Sequence, residues 1–123
     1  MISIDHLSAV PAFEQICQQV VGLVRVGSLP SGHRLPSVRQ LAGDLSLGTG
    51  AVARAYRELE KAGVISTSRG GTVVRDGQPT SAELAEAAYD YARASQNAGL
   101  SADEAVSALR ALWPATRRTS PAS

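Results

Sequence analysis

Hydrophobic positions near the start of the chain recur at the spacing of an α-helix. Residues 11–26 open with Pro11, which suits a first helical turn, and close before Gly27, a natural helix stop. The positions that share one face between them are Phe13, Ile16, Cys17, Val20 and Val24. The spacing predicts one amphipathic helix here, followed by a turn-rich connection over residues 28–36.

A short helix is predicted next, from Ser37. The run Ser37–Gln40 has the residue types of a capping box, in which a hydroxyl and an amide satisfy free backbone groups at a helix start. Its buried stripe consists of Val38, Leu41, Ala42 and Leu45. This helix has room for about two turns before the break at residues 46–48.

The third predicted helix, residues 49–62, has two faces of opposite character. At about 100° per residue, one side gathers the apolar positions Val52, Ala55, Tyr56 and Leu59. The opposite side, which we call the basic stripe, consists of Gly50, Arg54, Arg57 and Lys61. The apolar face requires a core, and the basic stripe is left for solvent or for an acidic partner.

A hairpin is predicted after this helix. Residues 64–67 and 72–75 are rich in β-branched side chains, and the turn between them, Ser68–Gly71, carries an arginine and two glycines. A short helix, a tight break, an amphipathic basic helix and a hairpin are together typical of a winged helix-turn-helix. The expected fold class is therefore mostly α, with an α+β winged-helix domain over residues 1–76.

Alanine-rich helices are predicted beyond residue 77. Thr80–Glu83 and Ser101–Glu104 match capping boxes, and they predict helices that run to about Ala98 and to Trp113, where Pro114 stops the second. We expect residues 77–114 to form a helical pair, and the tail over residues 115–123 to be disordered.

Positive charge is concentrated in the predicted winged helix. The net charge is only +1, but residues 33–75 hold seven basic and three acidic side chains, whereas the chain from residue 77 onward holds four and five. An outward-facing basic helix suits the major groove, because a guanidinium forms paired hydrogen bonds with guanine and also reaches phosphates. The alternatives are a solvated face without function and a winged helix that binds protein, which would show no salt-dependent DNA binding.

Other chemistry has little support in the sequence. His6 and His33 lie far apart, Cys17 is the single cysteine, and no acidic or histidine cluster has metal-ligand spacing, so no metal or other cofactor is expected. Cys17 is interpreted as a core thiol, with a redox sensor as the alternative. No nucleophile–base pair, phosphate loop, signal peptide or apolar run of about 18 residues is present. We therefore expect a cytoplasmic protein that is not an enzyme and has no membrane partner.

Residues 10–75 resemble the winged helix of GntR-family regulators. The resemblance is carried by Pro11–Ile16, by Gly27–Ala42 and by Val52–Gly63, which matches the family's recognition helix. The short helical remainder is similar to the YtrA-type branch, in which two helices replace a large effector-binding domain. This resemblance implies a homodimeric bacterial repressor that binds a double-stranded DNA operator.

By position, the resemblance implies a DNA-binding set spread over the second helix, the recognition helix and the wing. Its members are Arg34, Arg39, Thr49, Gly50, Arg54, Arg57, Arg69, Gly70 and Gly71. The chain departs from the family in two places. Many members have arginine or proline near position 49 and threonine at 51, where this chain has Thr49 and Ala51, and the wing lacks the residue that usually separates its glycines. The operator sequence is therefore left open.

The helical pair is too small to enclose a large ligand pocket, which takes about 300–1,000 Å³. Its alanine-rich face allows close helix approach, and we expect a dimer interface formed by Leu84, Ala88, Tyr91, Ala92, Leu109, Leu112 and Trp113. One alternative is that the pair packs on its own winged helix. Another is that Tyr89, Tyr91 and Trp113 line a crevice for a small-molecule effector, a partner for which the sequence offers no direct sign.

Overall fold

The computed structural model describes residues 2–118, with the side chains of residues 2–114, as five helices and a three-stranded sheet. The helices are α1 (Ala12–Arg25), α2 (Val38–Asp44), α3 (Thr49–Lys61), α4 (Ala82–Asn97) and α5 (Ala102–Arg118). The strands are β1 (Arg34–Leu35), β2 (Ile65–Ser68) and β3 (Gly71–Val74). The predicted winged helix-turn-helix with a helical C-terminal part is confirmed.

The chain divides into two compact units between Ala85 and Glu86. The first unit contains α1–α3, the sheet and the start of α4, and the second contains the rest of α4 together with α5. The division lies inside α4, whereas the composition of the sequence changes at residue 77.

The core of the first unit lies where the apolar faces of α1, α2 and α3 meet the sheet. Ile16 and Val20 of α1 are fully buried, as are Val52 and Ala55 of α3 and Ile65 of β2. The predicted apolar faces are thus confirmed, with three exceptions at the margin. The side chains that are only half-buried are Phe13, Cys17 and Val38.

Helix ends follow the sequence signals in most places. The Ser37 hydroxyl accepts a hydrogen bond from the Gln40 N–H (3.1 Å), which starts α2. At α5, the Glu104 carboxylate accepts from the Ser101 N–H (2.8 Å) and the Ser101 hydroxyl accepts from the Glu104 N–H (3.1 Å), a complete capping box. Gly63 adopts φ +79° just after α3, a left-handed conformation that only glycine adopts at little cost.

Two predicted helix ends are wrong. The residue that caps α4 is Ser81 rather than Thr80: its hydroxyl accepts from the Leu84 N–H (3.0 Å), while its own N–H donates to the Arg25 carbonyl oxygen (3.2 Å). That tertiary bond ties Ser81 to the end of α1, and α4 begins one residue later than predicted.

The predicted stop at Pro114 is also wrong, because α5 continues through Pro114 to Arg118. A proline removes one backbone donor, and near the end of a helix the residues beyond it can still keep helical geometry. The last part of the predicted tail, residues 119–123, lies outside the described residues.

The sheet has the order β1–β3–β2, with antiparallel pairs throughout. The two strands of the hairpin differ from the prediction by one residue. β2 begins and ends one residue later than predicted, and β3 begins and ends one residue earlier. β1 was not predicted: it falls in the connection that was interpreted as turns, and pairs Arg34 with Val73. A two-residue strand has no periodicity of its own, and its existence depends on the distant β3 edge.

An extended segment before α1 is held by two glutamines of that helix. The Gln19 amide donates to the Ser3 carbonyl oxygen (2.6 Å) and its oxygen accepts from the Ser3 N–H (3.0 Å). Gln15 makes the same pair of bonds with Asp5, at 3.0 and 2.9 Å. Both pairs of bonds can form at once because the two glutamines are as far apart as the two residues they bind. Two residues of an extended chain and four residues of a helix both span roughly 6–7 Å.

Within residues 2–118, no helix combines the length and the apolar character that a membrane crossing requires.

Candidate nucleic-acid interface

The turn between α2 and α3 is compact and internally hydrogen-bonded. The Leu47 N–H donates to the Ala42 carbonyl oxygen (2.9 Å), and the Ser46 N–H donates to the Gly43 carbonyl oxygen (3.3 Å). Ser46 has φ +55°, and it is the one non-glycine residue with a positive φ in the part of the chain that the structure describes. This left-handed residue lies in the turn that connects α2 to α3.

A buried tyrosine ties α3 to the segment that precedes α2. Tyr56 is 6% exposed, and its hydroxyl donates to the Pro36 carbonyl oxygen at 2.7 Å. Burial raises the pKa of Tyr56 to about 12. The sequence placed Tyr56 only on the apolar face of α3, because its hydroxyl partner lies twenty residues away and is visible only in the folded chain.

The basic stripe of α3 lies on the exposed side of the helix, as predicted from its phase. Arg54, Arg57 and Lys61 are exposed, whereas the apolar face opposite them is buried. Lys61 lies 3.8 Å from a Glu58 carboxylate oxygen, an exposed pair of low strength. The leading end of α3 is unobstructed, since a Cβ added at Gly50 would meet no atom within 4 Å.

One arginine of the basic stripe is held by an aromatic ring. The Arg54 guanidinium carbon lies 3.8 Å from the centre of the Phe13 ring, within the range of a cation–π interaction. Phe13 belongs to the first turn of α1 and is half-buried against the core. The sequence placed Phe13 on the buried face of α1, and nothing local signalled its contact with α3.

The wing brings two of the predicted DNA-binding residues, Arg34 and Gly71, close together. Arg69 and Gly70 form the two-residue turn between β2 and β3, and Gly71 follows with φ +114°. A Cβ built on Gly71 would lie 3.2 Å from Nη1 of Arg34, which reaches over from β1. Gly71 is therefore favoured by its backbone conformation, and a Cβ there would also displace the Arg34 guanidinium by a few tenths of an ångström.

The predicted DNA-binding residues are all accessible in the first unit. Arg39 lies exposed in the first turn of α2, Thr49 is exposed at the start of α3, and Gly71 is the one member of the set that is half-buried. Phosphates and base edges can accept hydrogen bonds from guanidiniums and from backbone N–H groups at a helix N-terminus or in a glycine turn. Contact of these residues with DNA stays a prediction.

Metal binding and the reactivity of Cys17 are two further questions for the residues that the structure describes. No group of three histidine, cysteine or acidic side chains is placed to hold a metal ion there. Burial, and then the charges of Glu58 and Glu14, raise the pKa of Cys17, so its reactive thiolate is disfavoured. The thiol donates to the Ala55 carbonyl oxygen at 3.5 Å, which favours the interpretation of Cys17 as a core thiol.

The second unit exposes apolar side chains along α5. Leu109 is 42% exposed and Trp113 is 59% exposed, and both line an open groove of about 530 Å³ together with Val106. The Tyr91 hydroxyl donates to the Ala105 carbonyl oxygen (2.7 Å), so this predicted interface residue also joins α4 to α5 within one chain. The other predicted interface residues of the helical pair, which are Leu84, Ala88, Ala92 and Leu112, are exposed.

Comparisons with known proteins agree with this geometry. A family model described as bacterial regulatory proteins, gntR family, matches residues 12–74, from α1 to the end of β3. The HTH-type transcriptional regulator Rv1152 of Mycobacterium tuberculosis is 42% identical over 106 residues, which cover 85% of this chain and 88% of that protein. The HTH-type transcriptional repressor YtrA of Bacillus subtilis is 43% identical over 81 residues, 65% of this chain and 62% of that protein. Among solved structures, YtrA from Sulfolobus acidocaldarius, a GntR-family transcription factor, matches with a TM-score of 0.58 at 31% identity, over 76% of this chain and 95% of that one.

Proposed function

Because this chain belongs to the GntR family of bacterial regulatory proteins, and is a DNA-binding transcription regulator, we propose that it binds a specific operator as a homodimer and represses the adjacent promoter. The observation that carries the proposal is the exposed basic stripe of α3 beside a wing that holds Arg34 and Arg69. The name of the Bacillus relative, a transcriptional repressor, supports the direction of regulation.

In this proposal the leading end of α3 enters the major groove. Thr49 and Gly50 approach the base edges, Arg54 and Arg57 follow along the groove, and Arg39 contacts the backbone from α2. The wing residues Arg34, Arg69, Gly70 and Gly71 contact phosphates or the minor groove beside it. The role is not catalytic, and it is exercised on the chromosome in the cytoplasm.

The helical pair supplies the dimer interface in this proposal. Its support is the exposed apolar surface of α5, where the side chains around the groove between Val106 and Trp113 would be covered by the same surface of a second copy. A dimer presents two recognition helices about 34 Å apart, or one turn of DNA, and therefore requires a pseudo-palindromic operator.

The proposal is tested first by a fluorescence-anisotropy titration of the full chain against DNA upstream of its own gene and against random DNA. We expect tight binding to one fragment, with an affinity that falls steeply between about 50 and 200 mM salt. Arg54→Ala should weaken binding about tenfold or more. Arg93→Ala, which removes the same charge from α4 in the second unit, is the matched control and should bind as the unaltered chain does.

Binding to every upstream fragment no tighter than to random DNA would contradict control of the adjacent promoter and would leave two alternatives, an operator elsewhere or a winged helix that binds protein. Binding without steep salt dependence would favour the second. A reporter placed behind the bound fragment then tests the direction of regulation. Expression that rises when the gene is deleted supports repression, and expression that falls indicates an activator.

The oligomeric state is tested separately by sedimentation velocity at micromolar concentration. We expect a dimer that Leu109→Asp converts to a monomer, because the substitution removes apolar contact between Val106 and Trp113 and adds the cost of burying a carboxylate there. Leu7→Asp makes the same change at a residue that is 96% exposed in the first unit, and should leave the dimer intact. A monomeric unaltered chain would contradict the dimer.

A further inference from the structure

The contact between Phe13 and Arg54 joins the first turn of α1 to the middle of the basic stripe. The guanidinium carbon lies over the ring, 3.8 Å from its centre, so the two groups are in close contact. One turn further along α1, the Cys17 thiol reaches the Ala55 carbonyl oxygen at 3.5 Å, which shows that the two helices are tightly apposed at this point. Phe13 itself is anchored, since it is half-buried against the core.

This arrangement leaves the hydrogen-bonding edge of Arg54 available. The attraction to a ring face uses the charge of the planar guanidinium and consumes none of its five N–H donors. Within the part of the chain that the structure describes, Arg54 makes no ion pair that would have to break before DNA binds. Arg54 is therefore restricted in position while its donors stay free.

We propose that Phe13 is a positioning residue for DNA recognition, which acts through Arg54 and does not contact DNA itself. A long side chain loses rotamer freedom when it is ordered by a ligand, and this loss weakens binding. The Phe13 ring orders Arg54 before DNA arrives and so reduces that loss. The inference rests on the proposed function, because it assumes that Arg54 contacts DNA.

The test is a double-mutant cycle on operator affinity with the full chain. Phe13→Leu removes the aromatic face but retains an apolar side chain, and should weaken operator binding about two- to fivefold. Phe13→Tyr keeps an aromatic face and should restore the affinity. In an Arg54→Ala background, Phe13→Leu should have no further effect, because the group through which it acts is gone.

A purely structural role of Phe13 gives a different result. Loosened packing of α1 would weaken binding to the same extent with or without Arg54, and would not require an aromatic ring. Val21→Ala is the control for packing, since Val21 is a half-buried residue about two turns further along α1, and it should leave the affinity unchanged. Urea unfolding of each variant identifies the conditions in which all of them are folded.

Three outcomes would overturn the inference while the proposed function stands. They are an unchanged affinity of Phe13→Leu, an equal loss in the Arg54→Ala background, and tighter binding by Phe13→Leu, which would mean that the ring withholds Arg54 from DNA. If the unaltered chain binds no operator, the proposed function itself fails.

Discussion

The hydrogen bond between Tyr56 and Pro36 makes the helix-turn-helix sensitive to the loss of a single oxygen atom. Tyr56→Phe keeps the ring, which is 6% exposed within the core, and removes the hydroxyl that donates to the Pro36 carbonyl oxygen at 2.7 Å. A hydrogen bond of this kind contributes a net 0.5–1.5 kcal/mol, about 1 kcal/mol in the middle of that range. We expect the free energy of unfolding to fall by this amount.

The measurement is urea unfolding of the full chain, monitored by circular dichroism near neutral pH. The midpoint should fall while the slope m stays the same, since the surface exposed on unfolding hardly changes. In a thermal scan the same loss lowers Tm by roughly 4–8 °C for a domain of about 60–100 residues. Identical midpoints for Tyr56→Phe and the unaltered chain would refute the assignment of a stabilising role to the hydroxyl.

The pH dependence of this difference supplies a second check. Burial raises the pKa of Tyr56 to about 12 from its usual value of 10.0, so the folded state holds the phenol proton more tightly than the unfolded state does. The stabilising contribution is therefore fully present below pH 10 and is lost as the pH rises toward 12. The stability advantage of the unaltered chain over Tyr56→Phe should narrow in that window, and an advantage that stays constant through it would contradict the reasoning.

Three further substitutions test backbone and surface features of the first unit. Ser46→Gly should raise the free energy of unfolding by about 0.5–1 kcal/mol, because glycine relieves the strain of φ +55°; a lower urea midpoint would count against this. Gly71→Ala should lower the free energy of unfolding by about 1–3 kcal/mol, because a Cβ at φ +114° is strained and crowds the Arg34 guanidinium. An unchanged urea midpoint would show that the wing adapts freely. Gln19→Ala should lower the free energy of unfolding by about 1 kcal/mol and speed hydrogen exchange at the Ser3 amide. Unaltered exchange at that amide would mean that the segment before α1 is held by other contacts.

The elements that sequence analysis predicted well are those with local causes. The apolar face of α3 and its basic stripe follow from the helical period alone, so their burial and exposure agree with the prediction. The caps at Ser37 and Ser101 depend on residues three positions apart. Ser101 and Glu104 form both bonds of the capping box, and at Ser37 the hydroxyl bond to the Gln40 N–H forms. Most of the winged helix was therefore predictable before any tertiary contact was known.

The exposure of the candidate arginines was predictable from the sequence, but their contacts with other side chains were not. Arg54 and Arg57 are named from their phase on α3 and Arg69 from the hairpin turn, whereas Arg34 and Arg39 are named from the family resemblance. The contact of the Phe13 ring with Arg54 and the approach of the Arg34 guanidinium to Gly71 could not be predicted, because each joins residues that lie far apart in the sequence.

The same distinction explains the errors at the level of the fold. Sequence by itself determined where α1, α2, α3 and the hairpin lie, because hydrophobic period, capping residues and turn glycines act within a few residues. Tertiary structure decided the pairing of β1 with β3, the bond from the Ser81 cap of α4 to Arg25 and the bond from Tyr56 to Pro36. Each of these depends on a backbone group that becomes a neighbour only when the chain folds, and a buried polar group must find such a partner wherever the fold supplies one.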